Sequence, residues 1–520
     1  MSDGDPAVRA GVVRAVGAIG LATLASRILG YTRDIVLARA FGASPVTDAF
    51  FVAFRIPNLL RRLLAEGALS TAIIPIFSET LARSGPASFG RMVQAVAGVG
   101  TVVLAGVSLL GMLLAPWIVA LMAPGWKAEA ALFDLAVTLT RLMFPYLLLV
   151  GLAALAMGVL NTHHRFFTAA LAPAILNVAM IGAVLGLGPR MSPPILALGI
   201  GVLIGGLGQF LIQLPELRRL GVPLMPSLDW SHPALRQISH RLWPAVFSLA
   251  AVQVTVVVNT LIASLLRSGT VSYLYYADRV MEFPLGVFGI ALATAVLPSM
   301  SSQAARGEHA ALRSTLGFAL RLSAFIAVPA AVGLVALAEP IVRLLLERGA
   351  FGATESLYTA QALVGYAVGL PAFSATRITA QTFYALGDTR TPVLVGFVSV
   401  AANVVFALSL MGPLEHMGLA LASSLSAYVN LLGLAWLLSR RLGGLGGAEI
   451  MRSLARTLGA SAGLGIWCVW SAQVLGGGTV ATIAALGVGA GVYGGIALAI
   501  RAPEMRDLLG MLRRRRRGVD

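Results

Sequence analysis

The sequence predicts an all-α polytopic membrane protein with about fourteen transmembrane helices, and three observations carry that prediction. Hydrophobic residues fill 58% of the 520 positions, charged residues only 12%, and the mean hydropathy is +0.86. A soluble chain carries about 25% charge, so most of this protein's surface must face lipid. Apolar windows of bilayer-crossing length recur along the whole chain, separated by short polar breaks. A segment pattern repeats between the two halves, which predicts a duplicated helical unit.

The windows fall near 12–30, 46–80, 92–122, 131–160, 166–188, 194–217, 236–266, 271–303, 312–346, 356–386, 392–412, 417–439, 453–475 and 478–500. Several exceed a membrane's thickness and are expected to be tilted, or broken at Pro57, Pro145, Pro284 or Pro371. The first window has no small-residue cleavage site before Arg27, Arg33 and Asp34, so it is expected to remain as a helix. In the repeat, Ala68–Pro75 (ALSTAIIP) matches Ala291–Pro298 (ALATAVLP). Ala82-Arg83 matches Ala305-Arg306, and Pro145 and Asn177 find partners in Pro371 and Asn403, at offsets of 223 to 226 residues. A six-helix unit has an even number of crossings, so the two copies share one orientation and their axis runs along the membrane normal. The expected organisation is an N-terminal lobe over 1–225, a C-terminal lobe over 226–445, two extra helices over 446–503 and a basic tail over 504–520.

Arginine distribution sets the orientation. One set of connections holds Arg9, Arg14, Arg83, Arg91, Arg165, Arg218, Arg219, Arg236, Arg306, Arg313, Arg390, Arg440, Arg441 and Arg452, then the run Arg513–Arg517. The other set is much poorer, so both termini are expected in the cytoplasm. The net charge of +16 is thus a membrane signal, and the terminal run reads as a topology anchor; no nucleic-acid partner is expected. Cys468 is the only cysteine, which excludes an internal disulfide and a structural cysteine–metal site.

Charges inside the windows are the functional signal, because an ionised side chain at the bilayer centre costs about 2.5–3.5 kcal/mol or more and is retained only for a purpose. The first two windows are dense in them: Ser26-Arg27 through Arg33-Asp34, then Thr47-Asp48-Ala-Phe-Phe, then Pro57-Asn-Leu-Leu-Arg61-Arg62 followed by Glu66. In the second half Tyr275-Tyr-Ala-Asp278-Arg279-Val-Met-Glu282-Phe-Pro284 occupies the corresponding region. Each lobe therefore offers arginines to a shared cavity. Arg27, Arg33, Arg61, Arg62 and Arg279 are the candidate substrate ligands, with Asp34, Asp48, Glu66, Asp278 and Glu282 as charge partners. The plainer alternative is mutual pairing, Arg33 with Asp34 or Asp48, Arg62 with Glu66 and Arg279 with Glu282 at helical spacing. Pairing leaves an excess of arginine. A guanidinium cannot be deprotonated and grips phosphate oxygens bidentately, so the sign and type of the cavity point to an anionic, phosphorylated substrate.

Other polar residues give weaker signals. Arg141, Arg321 and Arg377 either line the cavity or snorkel to an interface. Asn259, Asp388 and Asn403 are candidate cation ligands, with helix–helix hydrogen bonding or a capped loop as the plainer reading. His163-His164 reads as a solvated pair rather than a metal site. The sequence contains no P-loop, no Ser-His-Asp arrangement and no metal-ligand spacing, so neither enzyme chemistry nor a cofactor is expected. Any driving force would come from a sodium or proton gradient, the membrane potential or downstream consumption.

The segments Ser26–Asp34, Thr47–Phe51, Pro57–Arg62, Ala65–Ala68 and Tyr276–Pro284 closely resemble the lipid II flippase family known as MurJ or MviN, and the resemblance spans essentially the whole chain. It implies the multidrug/oligosaccharidyl-lipid/polysaccharide exporter fold, with two six-helix lobes around a V-shaped cleft. The two extra helices would form an apolar groove for an undecaprenyl tail. By motif match it implies essential arginines at Arg27, Arg33, Arg61 and Arg279, an important carboxylate at Asp48, and further members at Glu66 and Glu282. The function it implies is alternating-access movement of lipid II from the cytoplasmic to the periplasmic leaflet of a bacterial inner membrane. Membrane lipids and other cell-wall synthesis proteins are the expected neighbours. A flippase for another undecaprenyl-linked saccharide, a cation or drug antiporter of the same superfamily, and a non-transport scaffold remain as alternatives.

Overall fold

A computed structural model describes residues 6–61, 69–223, 225–475, 478–507 and 510. Arg62, Glu66 and the run Arg513–Arg517 lie outside the described residues. Among the described residues the chain is largely helical and contains no strand. It divides into two compact units, Met1–Val271 and Ser272–Asp520.

The first unit holds α1 (Pro6–Phe41), α2 (Pro45–Arg61), α3 (Leu69–Met122), α4 (Ala130–Met143), α5 (Tyr146–Thr162), α6 (Phe167–Gly186), α7 (Leu196–Leu211), α8 (Leu214–Arg219) and α9 (Pro233–Ala263). Helix α10 (Thr270–Pro284) begins at the boundary. The second unit continues with α11 (Ala291–Ala305), α12 (His309–Ala336), α13 (Ala338–Leu346), α14 (Ala353–Ala367), α15 (Leu370–Ala385), α16 (Arg390–Leu442), α17 (Gly447–Leu475) and α18 (Thr479–Ala499).

Helices α3 and α16 run 54 and 53 residues, about 80 Å at 1.5 Å per residue, far more than a bilayer's hydrocarbon. Each is two helices joined at a break. In α3 the break is Gly85, at φ 74°, where a residue without Cβ sits without strain and Pro86 follows. In α16 it is Glu415, at φ 45°, two residues after Pro413. The sequence windows on either side of each break are therefore separate spans. Proline divides other windows as expected: Pro145 stands between α4 and α5, Pro371 opens the first turn of α15, and Pro284 ends α10 before a π-helical turn at Leu285–Ile290. Pro145 and Pro371, matched by the repeat, thus break their helices alike. The expected break at Pro57 does not form, because α2 continues through it to Arg61.

Lipid is the solvent for the outer faces. On α3, Leu113, Trp117 and Leu121 are 62%, 68% and 69% exposed at a spacing of four, an apolar stripe that water would not tolerate. Among the described residues, seven helical stretches are long and apolar enough to cross a membrane, and α1, α2 and α10, which carry the candidate charges, are not among them.

Inside the first unit α1 packs on α6, and α6 on α7. The α6–α7 approach depends on small residues: a Cβ added at Gly201 or Gly205 would stand 3.0 Å or 2.9 Å from the Cα of Met180 or Leu176. Phe77, Phe89, Met92, Val159 and Leu160 form an apolar core between α3 and α5. In the second unit Met300, Leu312, Ile378, Phe383, Leu434 and Leu438 do the same between α11, α12, α15 and α16. Helix α17 packs along α12 and pairs with α18.

Candidate functional site

The first unit fixes its charges in two ways. Arg33 is 7% exposed and Asp34 4%. Two guanidinium nitrogens of Arg33 donate to Asp34 Oδ1 at 3.0 and 2.6 Å, and Nη1 donates to Asn177 Oδ1 at 3.1 Å. The Asn177 amide donates back to the carbonyl of Ser26 at 3.2 Å, so the ion pair clasps α1 to α6. A buried, neutralised arginine with its donors engaged positions the helix. Arg27, nearly two turns earlier on α1, is exposed.

Thr47 and Asp48 close two turns of the chain. The Thr47 hydroxyl lies 3.2 and 3.1 Å from the carbonyls of Phe41 and Gly42, fastening the α1–α2 connection. Asp48, 2% exposed, accepts the backbone N–H of Gly269 at 2.6 Å through Oδ2, fastening α2 to the turn after α9. Seven residues on, and on the same face of α2, Arg55 donates to the hydroxyl of Thr260 on α9. Arg55 was not among the sequence candidates, although its i+7 spacing from Asp48 is legible. Arg61 donates to Asn58 Oδ1 at 3.0 Å and is half-buried. Replacing Asp48 by alanine strips the Gly269 N–H of this acceptor, a loss of about 1–3 kcal/mol. The expected result is a lower midpoint of thermal unfolding in detergent for Asp48→Ala and a smaller fall for Asp48→Asn, which keeps an acceptor oxygen.

The second unit presents its charges more openly. On α10, Arg279 pairs with Glu282 at 2.8 Å and directs Nε and Nη2 to the Tyr275 hydroxyl, both at 3.4 Å, with its guanidinium carbon 5.3 Å from the Tyr275 ring centroid. The i−4, i, i+3 spacing puts all three on one face. Arg279 and Glu282 keep 35% and 43% of their side chains exposed, so the pair is accessible where Arg33–Asp34 is sealed. Asp278 is half-buried and starts about 100° further round the helix. Arg377 is exposed on α15 and lies within electrostatic range of Glu282. Spacing in sequence gives no sign of that proximity, because Glu282 and Arg377 stand on different helices.

The other undecided arginines have separate roles. Arg141 donates to the carbonyl of Met112, tying α4 to α3. Arg321 on α12 pairs with Glu449 at 3.1 Å and Glu504 at 3.5 Å. Of the cation candidates, Asp388 accepts from the backbone N–H of Thr391 and Arg390, from the Thr391 hydroxyl and from Arg441 at 2.9 Å. Those hydrogen bonds, Thr391 foremost, and the Arg441 charge hold its carboxyl below the usual carboxylate range. Asp388 is thereby occupied as a cap on α16. Asn403 is fully buried, with neither amide atom hydrogen-bonded among the described residues, and Asn259 is half-buried. His163 Nδ1 lies 2.9 Å from the carbonyl of Val159 and its ring packs against Phe89, a helix-end arrangement.

A bundle of apolar helices broken at matched prolines, with arginines on α1, α2, α10 and α15, defines a multi-pass membrane transporter rather than an enzyme. Comparison with solved structures agrees. The fold superposes on an inward-facing multidrug MATE transporter of the MOP superfamily with a TM-score of 0.65 at 14% identity, covering 81% of this chain and 95% of that one. It superposes more fully on a structure titled lipid II flippase MurJ in an inward closed conformation, with a TM-score of 0.80 at 25% identity, covering 94% and 99%. The sequence profile of the family described as Lipid II flippase MurJ matches residues 37–488. The lipid II flippase MurJ of Burkholderia cenocepacia is 40% identical over 457 residues, spanning 86% of this chain and 88% of the relative. A probable lipid II flippase MurJ of Vibrio cholerae is 36% identical over 416 residues, 79% of each. The chain belongs to the MurJ lipid II flippase family.

Proposed function

We propose that this chain moves lipid II, an undecaprenyl-pyrophosphate-linked disaccharide peptide, from the cytoplasmic to the periplasmic leaflet of the bacterial inner membrane by alternating access. The single observation that carries the reading is the accessible Arg279–Glu282 pair on α10. A pyrophosphate crossing a low-dielectric region must keep its counter-charge, and arginine supplies one that cannot be lost to proton transfer. Glu282 holds Arg279 in the absence of substrate, and an incoming phosphate displaces that carboxylate as the bidentate partner. Arg27 and Arg61 are assigned the same duty in the first unit, while Arg33, Asp34 and Asp48 position α1 and α2. The bias of arginine towards one set of connections supports cytoplasmic termini. Driving force is assigned to the membrane potential or an ion gradient, since the chain has no nucleotide-binding motif.

The test is leaflet accessibility of lipid II in cells depleted of their own flippase. Expression of this chain is expected to restore labelling of lipid II from the periplasmic side. Restoration of a surface polysaccharide without restoration of lipid II labelling would move the substrate to another undecaprenyl-linked saccharide.

A further inference from the structure

A cavity of about 460 Å³ opens beside α13, between α13, α14 and the far end of α17. That volume lies within the roughly 300–1,000 Å³ range of small-molecule sites. Its side in the bilayer follows from the chain. Helix α12 starts beside the basic connection at Arg306 and Arg313 and, after 28 residues or about 42 Å, ends at α13 on the arginine-poor side. The cavity is amphipathic along its length. Val335, Leu357, Val364 and Ala472 line one part, and Val335 and Leu357 remain 39% and 42% exposed, which opens that part to acyl chains. Glu339, Arg343 and Gln361 line the other.

Charge decides what head group fits. Arg343 pairs with Glu339 at 2.6 Å and with Glu347 at 3.4 Å, so two carboxylates flank one guanidinium and the trio carries one net negative charge. A singly anionic head such as phosphoglycerol would meet a guanidinium already engaged by two carboxylates and would leave Glu339 without an ammonium. A head carrying both ammonium and phosphate matches the trio, the ammonium donating to Glu339 and the phosphate accepting from Arg343 and Gln361. A choline head has no N–H to donate. We propose that this cavity is a phospholipid site selective for phosphoethanolamine head groups, separate from the α10 cluster and independent of which lipid is transported.

The experiment uses the full-length protein in detergent, with native mass spectrometry after addition of phosphatidylethanolamine, phosphatidylglycerol or phosphatidylcholine. One phosphatidylethanolamine is expected to survive collisional activation on the unmodified protein. Ala472→Trp, which fills the cavity, and Glu339→Gln, which removes the negative charge that pairs with the ammonium, are each expected to lose it. Ile466→Trp, on the exposed face of the same helix, is expected to keep it. Thermal unfolding without added lipid checks that each variant is folded, and Glu339→Gln decides alone if the tryptophan variant is not. Equal retention of phosphatidylglycerol or phosphatidylcholine would overturn the proposal. So would retention of phosphatidylethanolamine by the Glu339→Gln variant at the level of the unmodified protein.

Discussion

Arg279→Ala is expected to abolish growth complementation and periplasmic-side labelling of lipid II while the protein remains in the membrane at normal level. The α10 face explains both halves of that expectation. Arg279 is about one-third exposed, and two of its partners, Tyr275 and Glu282, are neighbours on its own helix. A charge-assisted hydrogen bond contributes about 1.5–3 kcal/mol, and a bidentate grip on phosphate more than one such bond. Loss of one to two bonds slows transport by at least about tenfold to a hundredfold. Arg279→Lys keeps the charge but not the planar fork, so it should retain part of the activity. Glu282→Gln should leave measurable transport, because it removes the resting partner and spares the phosphate ligand. Full complementation by Arg279→Ala, in a strain where its expression is matched by immunoblot, would end the assignment and return the scaffold reading to the front.

The contrast between Arg279 and Arg33 shows where sequence reading reaches its limit. Both were legible as charges in or beside apolar windows and were read as substrate ligands, with pairing to a nearby carboxylate as the plainer alternative, and both pairs form. What separates them is burial, which adjacent residues do not reveal: Asn177, 144 positions away on α6, completes the enclosure of Arg33. Helix breaks at Pro145 and Pro371 were readable because proline acts on its own backbone. The break at Glu415 was readable only as a gap between two apolar windows, since glutamate carries no such signature. Arg377 was visible as an intramembrane charge, but Glu282, whose charge reaches it, lies almost a hundred residues earlier on another helix. Local chemistry was thus open to inspection, and the long-range pairings that give each charge its task required the fold.

Arg321 offers the second large effect, on stability rather than transport. It was undecided from sequence between cavity and interface, and the folded unit gives it a third role. Glu504, 2% exposed, accepts from Ser453 at 2.8 Å and forms an ion pair with Arg321 at 3.5 Å, while Arg321 donates to Glu449 at 3.1 Å. Near them the Tyr493 hydroxyl donates to the carbonyl of Phe325 at 2.6 Å. These bonds connect α12 with α17, α18 and the segment that follows, and they are the polar part of an otherwise apolar docking surface. Arg321→Leu preserves the aliphatic bulk but leaves Glu504 buried without its cation, which costs about 3–5 kcal/mol. Glu504→Gln keeps the hydrogen bond from Ser453 and removes the charge, so the double variant Arg321→Leu/Glu504→Gln is expected to recover much of that loss. Unfolding midpoints in detergent, read as a double-mutant cycle, measure the coupling directly. An uncharged pair restoring nothing would mean that α17 and α18 hold to α12 by apolar packing alone. Recovery would mean that one buried carboxylate and its arginine set the register of the last two helices on the lobe.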